Sequence, residues 1–176
     1  MYESILKSKL KRIYKKTSRE KYFLNWKDIH TILVLFETSH LGEVSVFINQ
    51  LKKEGKKVTV CAYQKKNDKQ DHSITGYHII SEKEVGKWFD NPLHTIAKEL
   101  EMKTFDAVID LTLVRNIPLE FLLAHTTASV KTGLKKTDFP QYDLAITTSL
   151  IGEAESYQVR ELSKQIVYYL DKIGAG

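Results

Sequence analysis

Cysteine, proline and glycine are all scarce in this 176-residue chain, with one, three and eight residues respectively. The single cysteine, Cys61, excludes an internal disulfide and fits a reducing compartment, so a cytoplasmic location is expected. Cys61 lies in the apolar run Val58-Thr-Val-Cys-Ala-Tyr63, which reads as a small core residue rather than a reactive thiol. No stretch approaches the roughly 20 apolar residues that cross a bilayer. The N-terminus has no apolar signal core, so neither a transmembrane segment nor secretion is expected. Glycine is missing where a nucleotide would need it. Gly42 alone follows the first strand, where a G-x-G-x-x-G turn needs three, and no G-x-x-x-x-G-K-[ST] loop occurs. Glu37 and Glu43 flank that helix start with negative charge, which opposes phosphate there. The histidines His30, His40, His72, His78, His94 and His125 form no H-x-x-x-H pair and none is near Cys61. Neither a metal nor a cofactor is expected.

The positive charge is concentrated. Residues 1–21 hold eight basic side chains, Lys7, Lys9, Lys11, Arg12, Lys15, Lys16, Arg19 and Lys21, against Glu3 and Glu20, a net of +6. The whole chain carries +5, so the remainder is at −1. The basic pI therefore belongs to the N-terminal segment and not to the globular body. Tyr2, Ile5, Leu6, Leu10, Ile13 and Thr17 recur at helical spacing, with the cations on the other face. Three readings of this helix stay open: packing on the domain or on a second copy of it, contact with an anionic partner, or ordering only when bound. Tyr22, Phe23 and Trp26 are expected to tie it to the body.

The chain divides into 1–26, a basic amphipathic helix and its connection, and 27–176, a single α/β domain. Thr31–Phe36 is a continuous apolar and β-branched run, as in a strand buried on both faces. Val44, Phe47, Ile48 and Leu51 follow as a helix stripe that stops at Gly55, and Lys57–Tyr63 is the second strand, completing a βαβ unit. Gln64–His72 is a polar loop and Gly76–Ile80 a third strand. Ser81–Asp90, with Trp88 and Phe89, carries no clear period and is unassigned. Asn91 and Pro92 are the N-cap and first residue of a helix. Phe105–Leu111 is the fourth strand, Ile117–His125 a short apolar helix, Ser129–Thr132 a fifth strand ended by Gly133, and Tyr142–Thr148 the sixth. A final helix covers Glu155–Ile173. Alternating strands and helices predict a three-layer Rossmann-like α/β fold, with an open, mostly parallel sheet of about six strands ordered 3-2-1-4-5-6.

In such a sheet, ligands bind beyond the carboxyl ends of the strands where the order reverses, here between strands one and four. That places Glu37, Ser39 and His40 beside Asp110 and Thr112, with Arg115 close by. Glu37, His40 and Asp110 have the chemistry of an acid/base set and Ser39 that of a nucleophile. The same residue types also cap helices and close turns.

Two resemblances follow. Ile32-Leu-Val-Leu35, Ser39-His-Leu-Gly-Glu43, Phe105-Asp-Ala-Val-Ile-Asp-Leu111 and Ala128-Ser-Val-Lys-Thr-Gly133 resemble the N-terminal Rossmann-like half of heptosyltransferase-type glycosyltransferases. Glu43 stands where that family has an aspartate, and His40 intervenes between Ser39 and Leu41. The residues carrying the resemblance belong to the N-terminal half of that family and not to its nucleotide-sugar-binding domain, so the fold is expected and donor binding or transfer is not. Over nearly its whole length the chain is similar to a family of uncharacterised small proteins from Bacteroidetes. The shared features are the basic N-terminal helix, Lys87-Trp-Phe-Asp-Asn-Pro92, the F-D-x-x-I-D-L strand, the Ala-x-x-K-x-G turn and the Y-D-L-x-I strand. That membership implies no activity.

Two functions are therefore expected to compete. The first is a non-catalytic module that binds an anionic partner (nucleic acid, a membrane surface or an acidic protein) through Lys7, Lys11, Arg12, Lys15, Lys16 and Arg19, with a homo-oligomer also open. The second is a small-molecule-binding protein or enzyme whose crevice is formed by Glu37, Ser39, His40, Asp110 and Thr112.

Overall fold

The computed structural model describes residues 2–16, 22–68, 74–86, 91–137, 141–151 and 155–174. Helix α1 (Tyr2–Lys16) precedes the strands β1 (Thr31–Glu37), β2 (Lys57–Gln64), β3 (Tyr77–Ser81), β4 (Thr104–Asp110), β5 (Thr127–Leu134) and β6 (Leu144–Ile146). The helices between and after them are α2 (Leu41–Lys53), α3 (Glu82–Val85), α4 (Pro92–Glu101), α5 (Ile117–His125), α6 (Thr148–Ile151) and α7 (Glu155–Gly174). The strands form one sheet in the order β3-β2-β1-β4-β5-β6, and every pairing is parallel. No described helix is long and apolar enough to cross a membrane.

The centre of the sheet is β1, buried from Ile32 to Glu37. Its side chains alternate between two cores. Ile32, Val34 and Phe36 face α2 and α7, while Leu33 and Leu35 face α4 and α5. Asp106 sets the register at the lower edge: its Oδ2 accepts from the backbone N–H of His30 and of Thr31, both at 2.8 Å. Burial opposes the Asp106 charge, but these bonds outweigh it and leave the pKa lowered. Asn91 caps α4 by accepting from Leu93 N at 3.0 Å, with Pro92 at the first helical position. Cys61 is buried and its thiol is pushed up to about 12 by that burial, in keeping with a core role.

Helix α5 is buried from Ile117 through Leu123. A helix buried on all sides needs cover on all sides. The sheet and α4 cover part of it, and α1 covers the rest by placing Leu6 and Leu10, each 1% exposed, in the same core. Fully burying a leucine contributes about 1.5–3 kcal/mol. The N-terminus of α1 is pinned by polar contacts. Asn91 Nδ2 donates to the Tyr2 hydroxyl at 2.6 Å, which directs the phenol hydrogen toward His94 Nε2 at 3.3 Å.

Several details differ from expectation. Ile5, assigned to the buried stripe of α1, is 40% exposed, and Tyr14 packs there instead. Phe23, Leu24 and Trp26 join the core under α2 and α7, on the face opposite α1, and Tyr22 stays 67% exposed. Trp26 is clamped by Glu54, which accepts from its Nε1 at 3.1 Å, and by Lys56, whose Nζ donates to its carbonyl at 2.6 Å. Gly133 does not end β5, which continues to Leu134. Its missing side chain admits the Tyr142 ring, since a Cβ there would lie 2.6 Å from Tyr142 Cε1. Strand β6 is shorter than expected, because Tyr142 turns inward to Asp110 and Thr148 opens a helical turn. Thr17, Arg19, Trp88 and Phe89 lie outside the described residues.

Two stability measurements check this account. Gly133→Ala pushes the Tyr142 ring off Asp110, and overpacking of this kind costs about 1–3 kcal/mol in chemical denaturation. His94 has a lowered pKa, through burial first and then the charges of Lys9, His125 and Lys98. Its unfolded form takes a proton near pH 6.5 and its folded form only at lower pH. The stability is therefore complete above that range and is lost as pH falls. Unfolding free energy should drop between pH 7.5 and pH 5, less in His94→Gln than in the natural chain. Asp106 titrates below this window.

Candidate functional site

A concavity of about 860 Å³ opens at the carboxyl edge of β1 and β2. Its walls are the first turns of α1 (Tyr2, Glu3, Leu6), the segment after β2 (Lys65, Lys66, Asn67), α3 and the entry to α5 (Arg115–Pro118). Glu37, the last residue of β1, lies at its base with 5% exposure. A carboxylate so removed from water needs a cation and hydrogen-bond donors. Lys65 Nζ lies 2.7 Å from Oε2, and Asn116 Nδ2 donates to Oε1 at 3.1 Å. Asn116 is itself held, because its Oδ1 caps α5 by accepting from Leu119 N at 3.1 Å. Beside it, Arg115 makes a two-pronged contact with the buried Glu120, Nε to Oε2 at 2.8 Å and Nη2 to Oε1 at 3.2 Å. The hydrogen bonds from Arg115 to Glu120 raise the Arg115 pKa. Burial, then Glu82, Glu37 and Glu3, push the Tyr63 phenol up to about 12.

Asp110, at the end of β4, belongs to a different cluster. Its Oδ1 accepts from Thr112 N at 2.8 Å and Thr112 Oγ1 at 2.6 Å. Its Oδ2 accepts from Tyr142 Oη at 2.6 Å and lies 3.2 Å from Lys136 Nζ. Lys136 also donates to the Thr112 carbonyl at 3.0 Å. Both side chains of the Asp110–Lys136 pair are at least nine-tenths buried. Burial and the Asp110 carboxylate hold the Tyr142 phenol well above its ordinary pKa. This closed network joins β4, β5 and the entry to β6.

The proposed crevice residues are thus separated. Glu37 and Asp110 lie on adjacent strands and project to the same face, but Glu37 is held from the β2 side and Asp110 from the β5 side. Thr112 closes the turn after β4. Ser39 is exposed and His40 half-buried on the short 3-10 turn opening α2, and neither lines the cleft. The acid/base set of Glu37, His40 and Asp110 does not share one cavity. Lys65, Asn116 and Glu120 were missed as partners. Lys65 and Asn116 follow strand ends at the reversal edge, but only the folded path shows which carboxylate each one meets.

On α1, Lys7, Lys9, Lys11, Arg12, Lys15 and Lys16 are all exposed. Lys7 lies 3.0 Å from Glu3, one turn away and open to solvent. No group of three or more described histidine, cysteine or acidic residues is arranged to hold a metal.

Among curated proteins, none matches the chain. Among solved structures, the fold is similar to a glycosyl transferase family 9 protein from Veillonella parvula DSM 2008, with a TM-score of 0.50 and 19% identity. That likeness covers 85% of this chain but 42% of the other, so the chain spans less than half the length of that protein. At this identity the shared property is the fold. A protein-family match extends over residues 2–173, from the basic helix to the last turn of α7, and places the chain in DUF6913, a family of unknown function.

Proposed function

We propose that the protein is a non-catalytic binding module that engages the phosphate backbone of nucleic acid through the outer face of α1. One observation carries this reading: with Leu6 and Leu10 seated on α5, the six cations from Lys7 to Lys16 all face solvent on one helix. They span roughly 14 Å of helix axis, at 1.5 Å per residue. Duplex nucleic acid presents about one charge per 1.7 Å of its own axis, so several phosphates fall within reach. The body beyond residue 21 is at −1, which leaves the positive field local to this helix. A membrane surface is a weaker fit. An interfacial helix binds by burying its apolar face among lipids, and here that face is occupied by α5.

Charge substitutions test this better than deletion, because removing α1 would uncover α5. Replacing Lys11, Arg12, Lys15 and Lys16 with glutamine leaves the buried leucines in place. Affinity for an RNA duplex should fall, and the slope of log affinity against log salt should become shallower by about 0.7–0.9 for each phosphate no longer neutralised. Equal RNA binding by both forms, or tighter binding of the natural chain to phosphatidylserine vesicles than to RNA, would overturn the proposal.

A further inference from the structure

We infer that the cleft at the end of β1 binds a small organic amine with an apolar or aromatic body, its ammonium replacing Lys65 on Glu37. This site is separate from the outer face of α1. Its volume, about 860 Å³, lies within the usual 300–1,000 Å³ range of small-molecule sites. The two partners of the Glu37 carboxylate differ in kind. Asn116 is buried and locked into the cap of α5. The Lys65 side chain is 46% exposed and reaches in from the segment after β2 on a flexible stem. It can return to water at little cost, whereas the Glu37 side chain, 7% exposed, must keep a cation. A ligand ammonium supplies the same charge-assisted bond. Leu6, Val85, Ile117 and Pro118 offer an apolar wall for the body of the molecule, and Tyr63 an aromatic surface.

The charge arrangement argues against an anionic ligand. The Arg115 side chain lines the cleft but commits Nε and Nη2 to Glu120. The Lys65 ammonium is already on Glu37. Glu3 and Glu82 add two carboxylates to the lining, and Lys66 is the remaining cation there.

The test uses three probes of one shape and different charge: phenethylamine, phenethyl alcohol and phenylpropionate. Amide NMR shifts of the isotopically labelled full chain are followed in each titration. Phenethylamine should move the signals of Glu37, Tyr63 and Asn116 saturably, and the other two should bind at least about tenfold more weakly. Glu37→Gln should weaken the amine at least about tenfold. Lys65→Ala should keep or strengthen amine binding, since the competing cation is gone. The inference fails if phenylpropionate binds as well as the amine, if no probe gives saturable shifts at the cleft, or if Lys65→Ala abolishes amine binding. Should Glu37→Gln not fold, the Lys65→Ala titrations with the three probes decide alone.

Discussion

The seating of Leu6 and Leu10 on α5 is the contact on which the rest of the surface depends. A parallel sheet with two apolar faces demands helices on both sides. Here one of those helices, α5, is itself buried from Ile117 through Leu123. It cannot end the stack, so α1 forms a further layer outside it. That placement turns the cations of α1 to solvent and brings Tyr2, Glu3 and Leu6 to the rim of the cleft.

The cleft and the cationic face therefore share one helix but use different parts of it. The first turns of α1 wall the cavity, and the later turns carry most of the exposed charge. Anything that lifts α1 from α5 alters both. The contacts of Asn91 and His94 with Tyr2 hold the end of α1 nearest the cavity, and His94 loses its acceptor role on protonation. The Asp110, Thr112, Lys136 and Tyr142 network lies deeper and is closed on itself. A buried ion pair of this kind adds little net stability, but removing either partner leaves an uncompensated buried charge. The missing Cβ of Gly133 is what lets Tyr142 reach it.

Much of the fold was legible because its signals are local. The unbroken run of β1, the 3.6-residue stripes of α2 and α4, and the Asn91-Pro92 start each follow from neighbours in the chain. The strand order followed from the alternation of strands and helices together with the handedness of crossovers. Errors fell where a residue serves a distant contact. Gly133 looked like a strand stop and is a clearance for an aromatic ring. Ile5 looked buried because it falls near the apolar stripe, but the contact with α5 is centred on Leu6, Leu10 and Tyr14.

The sequence by itself determined the α/β class and the segregation of positive charge into the first helix, since these depend on composition and short-range periodicity. Only the tertiary structure decided which polar groups meet. Glu37 and Asp110 stand on neighbouring strands, yet one is bound by Lys65 and Asn116 and the other by Lys136 and Tyr142. Each partner comes from a loop whose course depends on packing across the whole sheet edge, and no local pattern encodes it.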